Sequence, residues 1–167
     1  MPRDSQRIAL RAASSEDEPF LHAVYASTRA DELALVDWDD AQKAAFVDMQ
    51  FTAQHRHYHE HYADATFDVV LCDGEPAGRL YVARWPAEIR IIDIALLPAY
   101  RNRGIGARLL EQLMAEAADA GKRVSIHVEH FNPALRLYTR LGFQPIADRG
   151  VNLLMEWSAT AEPATAT

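Results

Sequence analysis

The chain has 167 residues, 49% of them apolar, and a formal net charge of −7. That length suits one compact domain with a sizeable core, and the acidic balance argues against nucleic acid or an anionic membrane as the main partner. No apolar run approaches the roughly 18 residues that span a bilayer, the start Met1-Pro2-Arg3-Asp4 lacks the apolar core of a signal peptide, and the one cysteine, Cys72, cannot pair internally. Together these features predict a cytoplasmic protein.

Residues Arg7 to Ala12 alternate Ile8, Leu10 and Ala12 against Arg7 and Arg11, the pattern of a short strand. Ser14 or Ser15 can cap a following helix, with Glu16 to Glu18 in its first turn and Phe20, Leu21, Val24 and Tyr25 at helical spacing. Asp31-Glu32 reads as an interruption, and Leu33 to Trp38 fits neither period. Asp39 or Asp40 can cap a long second helix through about His61, with Phe46, Met49, Gln50 and Ala53 marking one face. Its end concentrates His55, His57, His59 and His61 beside Gln54, Tyr58 and Tyr62. His55 with His59, or His57 with His61, stands at the i,i+4 spacing at which two imidazoles can share a zinc ion. The sequence is not His-Glu-x-x-His, however, and no third ligand is set by spacing. A solvated helix end and the wall of an acceptor pocket stay open as readings, and no metal is expected.

Phe67 to Cys72 and Ala77 to Arg84 flank the turn cluster Asp73-Gly74-Glu75-Pro76 and predict a hairpin. Trp85-Pro86-Ala87-Glu88 makes a second turn, so the strand from Ile89 to Leu97 continues a meander. It stops at Pro98, and Arg101-Asn102-Arg103-Gly104-Ile105-Gly106 opens onto a helix, Ala107 to Ala120, that Gly121 ends. Leu109, Leu110, Leu113, Met114 and Ala117 form its packing face. Two glycines one residue apart at a helix start leave several unpaired N–H groups with the positive end of the helix dipole behind them, which is an anion site. The third glycine of the dinucleotide fingerprint is missing, and no Gly-Lys-Ser/Thr follows, so the pattern points to a pyrophosphate from something other than NAD or ATP. Val124 to Val128 is reached through a helix and should lie parallel to the Ile89 strand. Pro133 starts a short helix with Leu135, Leu137, Tyr138 and Leu141 to pack, closed by Gly142. Phe143 to Ile146 and Val151 to Trp157 finish as a strand pair. The folded domain is therefore residues 1–157, and the polar, aperiodic tail 158–167 predicts disorder.

Arg101-x-x-Gly104-x-Gly106 follows a strand ending Leu96-Leu97-Pro98. Downstream, Ser125 to Glu129 leads through Asn132-Pro133-Ala134 to Leu137-Tyr138-Thr139-Arg140-Leu141-Gly142-Phe143. These two stretches resemble the two halves of the acetyl-CoA site in the GCN5-related N-acetyltransferases, the GNAT superfamily, and the resemblance covers nearly the whole chain. It implies an α+β, three-layer fold: a mixed, mostly antiparallel seven-strand sheet with splayed central parallel strands and about four helices. It also implies an acetyltransferase that moves the acetyl group of acetyl-CoA, its cosubstrate, directly to a primary amine of a small molecule or peptide. Homodimers are common in the superfamily.

By that resemblance, a bulge frees backbone groups of Leu96 and Leu97 to bond the pantetheine and the thioester carbonyl. Arg101, Asn102, Arg103, Gly104, Ile105, Gly106 and Ala107 would hold the pyrophosphate, with Asn102 able to take up left-handed backbone where relatives have glycine. Asn132 would bond the pantetheine arm, and Tyr138 would protonate the leaving thiolate. Trp38, Met49, Gln50, Gln54 and Tyr58 are the residues it places near the acceptor. For the base, His127 ranks first as holder of a proton-accepting water, Glu129 shares its facing two residues on, and Asp93 and Glu88 flank the fourth strand. Arg90 stands where relatives most often keep a carboxylate. Arg79, Arg84, Arg136 and Arg149 could meet a carboxylate on the acceptor or the adenosine phosphate, but solvated surface charge is the better reading of each. A catalytically inactive acyl-CoA-binding sensor is the rival reading; a domain for some other nucleotide would explain Gly104 and Gly106 but not the second motif.

Overall fold

The computed structural model describes residues 6–159. Its elements are β1 (Ile8–Ala12), α1 (Glu18–Leu33), α2 (Asp40–His61), β2 (Thr66–Cys72), β3 (Glu75–Arg84), β4 (Glu88–Leu96), α3 (Ile105–Ala120), β5 (Arg123–Glu129), α4 (Leu135–Arg140), β6 (Gln144–Asp148) and β7 (Asn152–Trp157). The strands form one seven-stranded sheet in the order β1-β2-β3-β4-β5-β7-β6. This is the mixed sheet with four helices that the resemblance implies. None of the described helices is long and apolar enough to cross a membrane. By internal contacts the chain divides into two compact units: one runs through Tyr81 and takes in Asp93–Arg103, and the other comprises Val82–Ile92 and the chain from Gly104 onward.

In the first unit β1 pairs antiparallel with β2, from Ile8 opposite Cys72 to Ala12 opposite Asp68. Asp73 and Gly74 both take positive φ, 51° and 84°, the left-handed pair that suits the twist of a two-residue hairpin loop. Asp73 also fastens β1, because its Oδ1 accepts the Arg7 N–H at 2.9 Å and its own N–H donates to the Arg7 carbonyl at 2.8 Å. Cys72 is buried at the end of β2, with Sγ 3.8 Å from Gln6 Oε1.

Three helix expectations are corrected in this unit. Ser14 does not start α1 itself but a 3-10 turn, Ser15–Asp17, in which Asp17 accepts the Ser14 N–H at 2.8 Å and pairs with Arg11 at 2.9 Å. Asp31-Glu32 does not interrupt α1, because neither residue breaks a helix and Arg29 pairs with Glu32 at 3.1 Å one turn on. The packing face of α2 is set by Val47 and Phe51, which meet Leu21, Tyr25 and Val69; Met49 is 59% exposed. The apolar residues of α2 are scattered around the helix, so its partners and not its own pattern select the buried side. Its start is as expected: Asp39 Oδ1 accepts the Gln42 N–H at 2.8 Å and Gln42 Oε1 accepts the Asp39 N–H at 2.9 Å, a capping box.

Gly78 in β3 is demanded by its neighbour, since a Cβ there would overlap the Ala95 carbonyl oxygen and come within 2.9 Å of Leu96 Cα. Replacing Gly78 by Ala is expected to lower stability by about 2–3 kcal/mol, because backbone and not a flexible side chain must move. Urea unfolding would show this as a lower midpoint at unchanged slope.

In the second unit the parallel pairing runs from Glu88 opposite Arg123 to Ile91 opposite Ile126, the first four residues of each strand. β5 then pairs antiparallel with β7, and β6 adds to β7 with an irregularity between Pro145 and Ala147. α3 covers β5: Leu109, Leu110, Leu113 and Ala117 are buried, as are Val124, Ile126 and Val128. α3 begins at Ile105, two residues before the expected start, because Gly104 takes the N-cap position at φ 81°. Gly121 ends it at φ 69°, with the Lys122 N–H on the Ala117 carbonyl at 2.8 Å. Pro133 sits in the turn before α4 and not inside it, held by Asn132 Oδ1 accepting the Ala134 N–H at 2.8 Å. Residues 160–167, the greater part of the tail expected to be disordered, lie outside the described residues.

Candidate functional site

The end of β4 is bound tightly within the first unit. The Leu97 N–H donates to the Ala77 carbonyl at 2.8 Å, which corrects the expectation that Leu97 frees a donor. The Leu96 carbonyl accepts Arg101 Nε at 2.9 Å, and Arg101 Nη2 reaches the Ser27 carbonyl at 3.4 Å and Oγ at 3.3 Å. Arg101 is thereby a strut between the loop, β4 and α1. Arg103 lies over the Tyr100 ring at 5.3 Å and donates to the Ala99 carbonyl at 3.3 Å. Asn102 adopts φ 60°, the left-handed backbone for which an asparagine was expected to serve.

At the start of α3, no side chain of the described residues caps Gly104, and the Arg108 N–H donates to the Gly104 carbonyl at 3.1 Å. The N–H groups of Ile105, Gly106 and Ala107 therefore precede the first intrahelical donor, Arg108, and stand at the positive end of a 16-residue helix. Among the described residues nothing requires Gly106: a Cβ there would meet only Leu137 Cδ2, at an ordinary 3.7 Å. Its missing side chain leaves the backbone open to a close ligand.

Tyr138 is 3% exposed, with its ring edge-on to Phe143 at 5.7 Å, and its carbonyl accepts the Phe143 N–H at 3.0 Å. The side-chain oxygen of Asn132 is engaged in the α4 turn.

The base candidates of the second unit lie on the polar side of β4 and β5. Arg90 sits over Trp85 at 5.2 Å and donates to Ser125 Oγ at 2.7 Å, to His127 Nε2 at 3.1 Å and to Glu88 at 3.1 Å. Glu88 also accepts from Ser125 and pairs with Arg123. Burial opposes ionisation of Glu88, but the hydrogen bonds from Ser125 and Arg90 prevail and hold its pKa below the usual carboxylate range. Burial first, and then the Arg90 charge, lower the pKa of His127. The His127 lone pair that a base would use faces a guanidinium. Glu129 is exposed at the end of β5 and has no ion pair among the described residues.

In the first unit Gln54, Tyr58 and Asp93 are brought together by a residue expected to be solvated. Arg79 is 2% exposed and donates through Nη2 to Gln54 Oε1 at 2.9 Å and to Asp93 Oδ2 at 2.5 Å. Its guanidinium lies against the rings of Tyr81 at 5.1 Å and Tyr25 at 5.8 Å. The Tyr58 hydroxyl reaches Asp93 at 3.4 Å, and burial, then the Asp93 charge, push its pKa well above the ordinary tyrosine value. A lone charge inside Ala77-Gly78-Arg79-Leu80-Tyr81-Val82 was the signal for a buried pair, and Gly78 was the signal for a close backbone approach. Trp38 lies against Phe46 at 5.5 Å, Met49 is exposed and Gln50 is half-buried. Among the described residues no three His, Cys, Asp or Glu side chains are grouped as a metal site would need.

A mixed sheet with one parallel strand pair, together with a helix opened by Gly104 and Gly106, makes this an α+β protein with backbone N–H groups set out as an anion would need them. Residues 21–143 match the acetyltransferase (GNAT) family. The chain belongs to that family. A 42-residue stretch, 25% of this chain, is 48% identical to an uncharacterized N-acetyltransferase of Schizosaccharomyces pombe, spanning 28% of that protein's length. The PaiA N-acetyltransferase of Thermoplasma acidophilum, solved in complex with coenzyme A, superposes with a TM-score of 0.69 at 18% identity, over 91% of this chain and 99% of that one. YncA of Salmonella typhimurium, solved with its cofactor acetyl-CoA, gives 0.55 at 20% identity over 95% and 97%. At these identities the likeness to the two solved structures is one of fold.

Proposed function

We propose that the protein is an acetyl-CoA-dependent N-acetyltransferase that moves the acetyl group directly to a primary amine of a small molecule or peptide. The observation that carries this reading is the uncapped first turn of α3, whose Ile105, Gly106 and Ala107 N–H groups suit a pyrophosphate. The backbone of Leu96 is the contact proposed for the pantetheine and thioester. An amine of pKa about 10 is almost wholly protonated at neutral pH and must lose a proton before it attacks. Glu129 takes that proton in this reading, since Glu88, Asp93 and the His127 lone pair each face a guanidinium. The nitrogen forms its bond to the acetyl carbon as the C–S bond breaks, and the Tyr138 hydroxyl supplies a proton to the departing thiolate. The second proton shed by the nitrogen, passed through solvent, restores Tyr138.

A second reading, an inactive acyl-CoA-binding sensor, draws support from Arg90, a cation at the family's carboxylate position that also engages His127. Thiol release from acetyl-CoA against a panel of amines, amino acids, polyamines, aminoglycosides and short peptides, run beside calorimetric binding of CoA, separates the two. Turnover is the expected outcome; binding without turnover across the panel favours the sensor, and no binding overturns both readings. With a responsive amine, Glu129→Gln is expected to lower kcat about 10²-fold, whereas His127→Asn leaves it nearly unchanged. The reverse order would return the base to His127. Gly106→Ala is expected to melt at an equal or higher temperature, because alanine favours a helix by about 0.5–1 kcal/mol, and yet to bind CoA at least about tenfold more weakly.

A further inference from the structure

The first unit holds a cavity of about 480 Å³ for which the transfer chemistry has no use, well within the size of small-molecule sites. Glu18, His55, His59, Phe67, Asp68 and Tyr81 are among its lining residues. One wall is a row of rings: His55 and His59 lie 4.4 Å apart, His59 stacks on Phe67 at 4.1 Å, and Phe67 meets Tyr81 edge-on at 4.9 Å. Among the described residues neither lysine nor arginine lines the cavity, whereas two carboxylates, Glu18 and Asp68, do. Glu18 Oε1 is 3.6 Å from His55 Nε2, too far for a hydrogen bond, and its side chain is 54% exposed. Burial first, then His59, lower the pKa of His55 and so favour its uncharged ring; the Arg79 guanidinium, over the Tyr81 ring at 5.1 Å, acts in the same direction. Tyr81 is 1% exposed, and its hydroxyl has no hydrogen-bond partner among the described residues.

We infer that this cavity is a binding site for a small organic ammonium ion, separate from the residues of acetyl transfer. Ring faces and carboxylates both attract a cation with an apolar body, and the same carboxylates repel phosphates and carboxylic acids. The His-rich end of α2, which the transfer reaction leaves without a role, then supplies half of the ring wall.

The test uses benzyltrimethylammonium, which has no N–H and cannot be acetylated, so binding is read apart from turnover. Amide and side-chain NMR shifts of the full chain are followed with this probe, with benzyl alcohol as its neutral counterpart and with benzoate as its anionic one. Saturable shifts confined to residues 14–18, 55–59 and 65–68 are expected for the cation alone. The double variant Glu18→Gln, Asp68→Asn, with its melting temperature checked, is expected to weaken that binding about tenfold. Equal binding of the neutral or anionic probe, shifts centred elsewhere, absence of saturation at millimolar concentration, or an unaffected double variant would each overturn the site. The comparison among probes on the unaltered protein decides even where the variant folds poorly.

Discussion

Tyr138→Phe is expected to slow acetyl transfer about 10²-fold while leaving CoA affinity nearly unchanged. Phenylalanine keeps the edge-on contact with Phe143 and the buried volume, and a melting curve run beside the kinetics separates a loss of stability from a chemical one. General acid catalysis contributes about 10²- to 10⁴-fold, and the low end applies here, because a thiol of ordinary pKa about 8.5 leaves more readily than an amine or alcohol. The loss should fall on kcat and kcat/KM alike, the mark of an interaction made in the transition state. A variant within a few-fold of the parent would remove Tyr138 from the chemistry. Should the panel show no turnover in the parent protein, the variant has nothing to lose, and the sensor reading gains.

Arg79→Met carries the largest expected cost in stability, about 3–5 kcal/mol, because it strands a carboxylate that is 16% exposed and leaves the Gln54 oxygen without its donor. Adding Asp93→Asn should recover much of that loss, since the penalty lies mainly in the unpaired charge and not in the missing contact. Chemical denaturation of the two single variants and the double variant measures this coupling. Additive losses would mean that the two groups contribute independently, in spite of their 2.5 Å separation. Should the amine panel give turnover, an Arg79→Met variant that stays folded but loses affinity for the responsive amine would place the Gln54, Tyr58 and Asp93 cluster at the acceptor.

What could be read in the sequence follows the range over which each feature is determined. The hairpin at Asp73-Gly74, the capping box at Asp39, the left-handed Asn102 and the glycine that opens α3 are local, and residues within a few positions fix each of them. The parallel pairing of β5 with β4 followed from a helix lying between them. Features set by distant partners were not legible. The buried side of α2 depends on Leu21, Tyr25 and Val69, and the burial of Arg79 depends on an aspartate 14 residues away. The resemblance named His127 and Asp93 as bases, but the arginines that face them belong to the three-dimensional arrangement and leave no periodic trace. Likewise the donor of Leu97 is occupied by a carbonyl on a neighbouring strand, which no inspection of Leu96-Leu97-Pro98 reveals.

The sole cysteine gives the first unit a built-in clock. Cys72 is buried, pairs with Ile8 on the edge strand and has its sulfur 3.8 Å from Gln6 Oε1, so opening of this edge is the expected route for a thiol reagent. Edge strands detach at far lower free energy than whole domains unfold, so labelling of Cys72 should proceed by local opening and be nearly insensitive to low urea. Breaking the Asp73 tie to Arg7, as in Asp73→Ala, should speed labelling well before it lowers the global unfolding midpoint.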